Sequence, residues 1–175
     1  MSAETDIVLR PMLSSDHDTL VELLCSETWP FHGGGAAAEA DVRRRLNEGY
    51  YESASTSTFL IEVGAHCVGM LRLFDLPTQH GETGSPLFDL RLRASHRGRG
   101  IAKHAVRYGI DHIFRTYPQV HRIEATTRHD NGAMRAVLRA CGFVREAFYR
   151  EAWPTPHGRF HAVGYGLLRS DHNNG

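Results

Sequence analysis

Apolar and polar positions along the chain recur with two periods, and each period predicts a set of elements. A period of two, or a short apolar run, predicts strands at residues 7–10, 58–63, 67–74, 86–94, 121–127, 143–153 and 160–168. A spacing of three to four predicts helices through residues 20–24, 36–51, 101–114 and 131–140. The order is therefore βααβββαβαββ. It indicates an α/β fold with a mixed, mostly antiparallel central sheet flanked by helices.

The composition is that of an ordinary globular protein, and it limits the classes of partner. Apolar residues make up 41% and charged residues 23% of the 175 residues, a length that fits one domain over residues 1–175. Lys plus Arg equals Asp plus Glu, and this zero formal net charge argues against a nucleic-acid coat or a membrane-surface protein. Three cysteines form no even disulfide framework, and neither a signal peptide nor a membrane-spanning apolar stretch is evident. We expect a cytoplasmic protein with no nucleic-acid and no membrane partner.

The most informative segment is the basic glycine turn between the fourth predicted strand and the third predicted helix. Gly98 and Gly100 allow the backbone to bend and to bring several N–H groups close to a ligand. The first turn of the following helix adds unpaired donors and a positive dipole end, while Arg97 and Arg99 add charge. Such a turn suits a diphosphate. The alternative is a plain strand-to-helix turn with solvated arginines.

Two other phosphate-binding motifs fit this turn less well. A P-loop ends in Gly-Lys-Ser/Thr, which is absent here. The dinucleotide fingerprint needs a third glycine where this chain has Lys103, although Glu124 lies about twenty residues further on, as that fingerprint requires. Hairpins precede the unit, whereas a dinucleotide-binding fold would place another strand–helix–strand unit there.

Residues 97–102, Arg-Gly-Arg-Gly-Ile-Ala, match the Gln/Arg-x-x-Gly-x-Gly/Ala signature of the GNAT acetyltransferase superfamily. The resemblance extends over residues 7–169 through the order of strands and helices. With Asn131 and the pair Gly142-Phe143, the chain resembles the branch of ribosomal-protein N-terminal and small-amine or antibiotic acetyltransferases. The resemblance implies the GNAT acyl-CoA N-acyltransferase fold and acetyl transfer from acetyl-CoA to a primary amine.

The resemblance also implies which residues contact the cosubstrate. In the family, N–H groups of the glycine turn hold the coenzyme A pyrophosphate, the preceding strand pairs with the pantetheine arm, and an Asn after the fifth strand reaches the coenzyme. The implied contacts are Leu90, Arg91, Leu92, Arg97, Gly98, Arg99, Gly100, Ile101, Ala102 and Asn131. One position departs from the family: the Tyr that many members use to protonate the departing thiolate is Leu138 here. Either another group serves as the acid, or the thiolate leaves without one.

Two carboxylates are candidates for the general base that removes a proton from the acceptor amine. Glu124 lies on the strand that should flank the acetyl group, and the alternative is a structural ion pair with Arg122 or a neighbouring strand. Asp89 lies on the strand that leads to the glycine turn, and its alternative is a cross-strand ion pair.

The acceptor is expected to bind at the aromatic, glycine-rich loop after the first helix, which with the last strand pair forms the acceptor cleft in the family. Acceptor contacts are predicted for Trp29, Phe31, His32 and Asp75, with Glu82 as a further acidic group. Acidic groups near an aromatic loop favour a small polycationic amine such as an aminoglycoside-type antibiotic. Open alternatives are N-terminal acetylation of a ribosomal protein, a non-catalytic acyl-CoA sensor, and a plug of apolar residues in place of an acceptor loop.

No metal site is expected, because His157 and His161 straddle a glycine turn and no further ligand motif is nearby. A homodimer is left open.

Overall fold

The computed structural model of the chain describes residues 7–32, 35–78 and 84–173. The strands in these ranges are β1 (Ile7–Pro11), β2 (Thr56–Val63), β3 (His66–Phe74), β4 (Leu87–Leu92), β5 (Arg122–Arg128), β6 (Val144–Thr155) and β7 (Gly158–Leu168). The helices are α1 (His17–Cys25), α2 (Glu39–Asn47), α3 (Ile101–Thr116), α4 (Gly132–Ala140) and α5 (Arg169–Asn173). The predicted order of elements is confirmed, and α5 is an addition that the sequence pattern did not predict.

The strands form two antiparallel sheets that meet at one seam. The first sheet has the order β1-β2-β3-β4, and the second has the order β5-β7-β6. The Glu124 N–H donates to the Pro86 carbonyl at 2.9 Å, and in the described ranges this is the one backbone hydrogen bond between the β4 segment and β5. Beyond that bond the two strands part. The expected α/β fold with a mostly antiparallel sheet and flanking helices is therefore confirmed, with the sheet divided at its centre.

Two apolar clusters lie on opposite faces of the first sheet. The larger cluster joins β3 and β4 to α3 and α4 through residues such as Leu71, Leu90 and Ile101. The smaller cluster joins α1 and α2 to the other face, where Met70 and Trp29 lie. Because side chains alternate along a strand, Arg72 shares the face of Met70 rather than that of Leu71.

Helix α3 lies close to the sheet because a glycine faces it. A Cβ on Gly109 would lie 3.0 Å from a Leu71 methyl carbon, which is tighter than ordinary contact. Tyr108 and His112 are half-buried on this helix, and each makes a T-shaped ring contact with Phe59, at centroid distances of 5.2 Å and 4.9 Å. The buried stripe comprises Ile101, Ala105, Val106, Gly109, Ile110, Ile113 and Phe114.

Strand β6 is the outer strand of the second sheet and is irregular. Its register against β7 shifts between Tyr149 and Trp153, and Glu151 has a φ of 51°. Most of its side chains are exposed, whereas those in the second half of β7 are buried.

No helix in the described part of the chain is long and apolar enough to cross a membrane.

Candidate functional site

A cavity of about 380 Å³ lies at the seam where β4 and β5 part. Residues 87–91 of β4 and 125–127 of β5 form two of its walls. The α1–α2 loop and helix α4 complete it, and aromatic rings surround much of the space: Phe31, Tyr50, Phe74, Phe88 and Trp153. The divergence of the two strands thus creates a space that neither sheet would enclose alone.

Asp89 is the one carboxylate among the described residues that line this cavity. His32 Nε2 lies 2.9 Å from Asp89 Oδ1, and Arg91 Nη2 lies 3.3 Å from Asp89 Oδ2. Burial opposes ionisation, but the contacts with His32 and Arg91 outweigh it, so the pKa of Asp89 lies well below its ordinary value. The 2.9 Å approach of His32 is an ion-pair distance without the alignment of a hydrogen bond, and Oδ1 has no hydrogen-bond partner among the described residues.

Arg72 is a buried cation in the same cavity. It is 7% exposed, and its guanidinium lies over the rings of Tyr50 and Phe74 at 3.8 Å and 4.3 Å. Its two terminal nitrogens donate to the Tyr50 carbonyl at 3.0 Å and the Tyr50 hydroxyl at 2.9 Å. Its Nε is buried and has no hydrogen-bond partner among the described residues.

The glycine turn follows β4 along the chain and presents free N–H donors. Gly98 and Gly100 have φ values of 72° and 81°, which favour glycine, and Gly100 is the N-cap of α3. No described residue accepts a hydrogen bond from the N–H groups of residues 98–100, and the first turn of α3 adds its own unpaired donors. A Cβ on either glycine would meet no atom within 4 Å, so the turn faces open space.

The other predicted coenzyme contacts differ in whether their side chains are buried or exposed. Leu90, Leu92 and Ile101 are buried in the larger apolar cluster, so only their backbone can contact a ligand, whereas the Arg91 side chain lines the cavity. Arg97 Nε donates to the Leu92 carbonyl at 2.9 Å. The remaining predicted contacts of the turn are exposed or half-buried: Gly98, Arg99, Gly100 and Ala102.

Asn131 lines the cavity and also caps helix α4. Its side-chain oxygen accepts from the Met134 N–H at 3.2 Å, and its side-chain nitrogen donates to Thr127 Oγ1 at 3.1 Å. Leu138, at the position where many family members have Tyr, is fully buried in the cavity wall and offers no proton. The coenzyme contact expected of Asn131 stays a prediction, with one of its amide hydrogens already used in the protein.

Glu124 does not line the cavity. Its carboxylate accepts from Arg122 Nε at 2.8 Å, and the Glu124 side chain is 42% exposed. Arg122 is bound in turn by Glu146. This is the structural ion pair that the sequence left open as the alternative, and it places Glu124 away from the space where an acceptor would lie. The role of Glu124 as a base stays a prediction, and we do not carry it into the proposed function.

The predicted acceptor contacts separate into two groups. Phe31 and His32 line the cavity. Trp29 does not, because it is 2% exposed in the smaller apolar cluster and its Nε1 donates to the Leu24 carbonyl at 3.0 Å. Asp75 is exposed and absent from the cavity walls, and Glu82 lies outside the described residues. Trp29 therefore packs as a buried apolar residue of the smaller cluster, which is the alternative to an acceptor contact.

Metal binding has little support in the described ranges. They contain no group of three or more His, Cys, Asp or Glu side chains that could hold a metal ion. His161 Nδ1 accepts from the Glu151 N–H at 2.9 Å, and His157 lies in the exposed β6–β7 turn.

Sequence reasoning missed Arg72 and Tyr50, although one signal was present. Arg72 is the one charged residue in the apolar run from 67 to 74, and a cation in such a strand needs a reason. Its pairing opposite Asp89 depends on the register of β3 against β4, which the sequence does not give. Tyr50 lies in a turn before β2, so its approach to β3 is a tertiary contact without a local signature.

Comparisons with known proteins identify the family and the fold. A family model described as an acetyltransferase (GNAT) domain matches residues 6–144. A search with the sequence found no match among curated proteins. Several solved structures share the fold at low sequence identity.

A spermidine N-acetyltransferase from Vibrio cholerae, in complex with CoA and spermine, is 18% identical with a TM-score of 0.81, covering 98% of this chain and 100% of the other. RimL, a ribosomal L7/L12 alpha-N-protein acetyltransferase in complex with coenzyme A, is 18% identical with a TM-score of 0.77, covering 94% and 95%. A dodecameric form of the Vibrio cholerae enzyme is 19% identical with a TM-score of 0.76, covering 98% of each chain.

The family resemblance inferred from residues 97–102 is therefore confirmed, and so is the assignment as an enzyme. Because the family model spans well over half of the sequence, the chain belongs to the GNAT acetyltransferase family.

Proposed function

We propose that this chain is an acetyl-CoA-dependent N-acetyltransferase that acetylates the primary amine of a small molecule bound in the seam cavity. The observation that supports this most directly is the Asp89–His32 pair, which lines the cavity at the seam of β4 and β5. An amine acceptor needs a group that removes its proton, and this pair can serve.

The glycine turn is the proposed site for the diphosphate of the cosubstrate. Unpaired N–H groups at residues 98–100 and at the first turn of α3 can bind phosphate oxygens without help from a side chain. Past the Pro86–Glu124 bond, the edge of β4 has no strand beside it, so it is free to pair with an extended ligand. The CoA-bound relatives support this placement, since their fold is similar over nearly the whole chain.

The chemistry of the pair follows from its charges. His32 and Arg91 keep the pKa of Asp89 well below its ordinary value. Its carboxylate therefore stays ionised and is a poor proton acceptor near neutral pH. Because His32 Nε2 faces Asp89, a neutral imidazole that carries its proton on Nε2 has Nδ1 available as an acceptor. We therefore assign proton removal to His32 Nδ1 and a positioning role to Asp89, in place of the base role expected from the sequence.

The proposed reaction balances as follows. The acceptor nitrogen forms a bond to the acetyl carbon, the carbon–sulfur bond of the thioester breaks, and one proton passes from nitrogen to His32. The imidazolium returns a proton to the departing thiolate or to solvent. Leu138 offers no acid here, so the thiolate does not depend on the Tyr that many family members use.

A panel of amines tests the function by release of free coenzyme A thiol. Substitution of His32→Gln is expected to lower kcat roughly 10²- to 10⁴-fold while the dissociation constant for acetyl-CoA, measured by calorimetry, is unchanged. The matched control is His66→Gln, because His66 is exposed in the β2–β3 hairpin. Equal kcat for His32→Gln and the native chain would remove His32 from the reaction.

The finer identity of the acceptor has several candidates. A polycation such as an aminoglycoside-type antibiotic was expected from the sequence, but the described cavity walls offer it one carboxylate only, that of Asp89. The fold it shares with RimL favours a second candidate, N-terminal acetylation of a protein. Peptide turnover in the panel would support that candidate. Tight acetyl-CoA binding with no turnover of any amine would indicate a sensor and would refute the proposed function.

A further inference from the structure

The walls of the seam cavity hold more positive than negative charge. Arg72 and Arg91 contribute two cations, and Asp89 contributes one carboxylate among the described lining residues. From this imbalance we infer that the acceptor carries a carboxylate close to its reactive amine, as an amino acid does. The inference rests on the proposed function, since it names the acceptor class of that same site.

Arg72 carries a buried positive charge that no described carboxylate compensates. No carboxylate among the described residues lies within ion-pair distance of it, and its only hydrogen-bond acceptors are the two oxygens of Tyr50. A charge that is 93% buried, by its 7% exposure, is costly unless another charge compensates it. Its Nε, buried and without a partner, is a donor that remains to be satisfied. An anionic group of the acceptor would supply both the compensating charge and the missing acceptor.

The register of the sheet places the cationic and anionic groups side by side. Arg72 and Asp89 are directly paired residues of β3 and β4, so their Cβ atoms share one face at a separation of ~5 Å. Arg91 lies two residues beyond Asp89 on that same face. One small molecule can therefore present an amine to the Asp89–His32 pair and a carboxylate to Arg72 and Arg91. Guanidinium groups suit this task because their planar donors match the two oxygens of a carboxylate.

The same arrangement disfavours the acceptors of the structural relatives. A polyamine such as spermine has no anion to place beside Arg72, and its additional ammonium groups would face the like charges of Arg72 and Arg91. A peptide N-terminus has an amide where an amino acid has its carboxylate, so it would leave the charge of Arg72 uncompensated. Aromatic walls from Tyr50, Phe74 and Trp153 indicate that the rest of the acceptor is apolar.

The test uses three forms of one side chain. Initial rates of thiol release are measured for L-phenylalanine, L-phenylalaninamide and 2-phenylethylamine, and again for the corresponding methionine series, with spermidine as the polycation. We expect kcat/KM of the carboxylate form to exceed that of the amide and the amine roughly 10- to 100-fold, the range of a charge-assisted contact. Calorimetry with the coenzyme A-loaded protein gives the same comparison without turnover.

Two variants test whether Arg72 and Arg91 cause the preference for a carboxylate. Arg72→Lys keeps a charge but loses the planar donors, and Arg91→Gln removes a charge, so each is expected to reduce the carboxylate preference at least about fivefold. Arg115→Gln, exposed near the end of α3, is the charge-matched control and should keep the preference. Circular dichroism and urea unfolding check that each variant is folded. The comparison of the three acceptor forms in the native chain tests the inference even if Arg72→Lys does not fold.

The outcomes separate this inference from the function beneath it. Turnover of amines with equal kcat/KM for carboxylate, amide and decarboxylated forms would overturn the inference and leave the proposed function standing. A preference for spermidine or for the amide would overturn it as well. A loss of preference in Arg72→Lys and Arg91→Gln, with retention in Arg115→Gln, would establish it.

Discussion

A buried carboxylate keeps its charge only when nearby groups compensate for the water it has lost. In Asp89 the contacts with His32 and Arg91 more than offset burial, so the pKa falls below its ordinary value. The folded protein therefore stabilises the ionised form relative to the unfolded chain. This stabilisation is complete above the unfolded-state pKa of ~3.9 and is lost as the pH falls through the lower folded-state value.

Asp89→Asn is accordingly expected to reduce the free energy of unfolding at pH 7 by roughly 1–3 kcal/mol, since Asn cannot replace the charge. The difference from the native chain should begin to shrink below about pH 4, where the carboxyl of the unfolded native chain takes up a proton while that of the folded protein stays ionised to lower pH. Urea unfolding at pH 7 and at pH 3 measures both values. Asp18→Asn, at an exposed ion pair with Arg43, is the control and should show little difference at either pH. A pH-independent gap for Asp89→Asn would contradict this assignment of charge.

Single residues also mark the limit of what the sequence can tell. Residue type identified Asp89 and His32 as acidic and imidazole groups near an acceptor, but their 2.9 Å contact joins a loop to a strand 57 positions later (89 − 32). Glu124 was an equally reasonable base by type and strand. Its ion pair with Arg122 depends on which face of β5 is covered, and that is decided by packing between sheets.

At the scale of elements, the turn before α3 links conformation directly to binding. Gly100→Val is expected to raise the dissociation constant for acetyl-CoA at least about tenfold, because a Val with φ near 81° is strained and its side chain would project into the open face of the turn. Calorimetry measures the affinity, and circular dichroism reports whether the fold is retained.

Gly64→Val is the matched control for this change. Gly64 also has a positive φ, 61°, with open space around its Cβ position, but it lies in the β2–β3 hairpin away from the seam. It should show a similar loss of stability with unchanged affinity. Equal acetyl-CoA affinities for Gly100→Val and Gly64→Val would show that the turn does not bind the cosubstrate.

Most elements could be predicted because their apolar patterns are local. The β2–β3 hairpin and strand β4 follow from alternation, and α4 ends at Ala140, two residues before Gly142, which has a φ of 88°. Helix α2 is shorter than the predicted 36–51, because it stops before Gly49, whose φ of 74° lies outside the helical range. The irregularity of β6 had no local signal, because its register shifts depend on pairing with β7.

At the scale of the molecule, the two sheets share one backbone hydrogen bond at the seam within the described part of the chain, so a ligand there should stabilise the whole fold. Coenzyme A at 100 times its dissociation constant is expected to add about 2.7 kcal/mol to the free energy of unfolding. When coenzyme A binds, hydrogen exchange should slow for the amides of β4 and for those of β5 that follow residue 124. Strand β1, at the far edge of the first sheet, serves as the internal control. Protection confined to β1 and β2 would place the coenzyme elsewhere.

The parting of β4 from β5 has a second consequence, for the protein in a crowded solution. Peptide groups without a neighbouring strand can pair with an extended segment of any other chain, which is the first step of edge-to-edge aggregation. A cosubstrate that fills the gap would block that route. Protein stripped of its cosubstrate should therefore form aggregates at lower concentration than loaded protein.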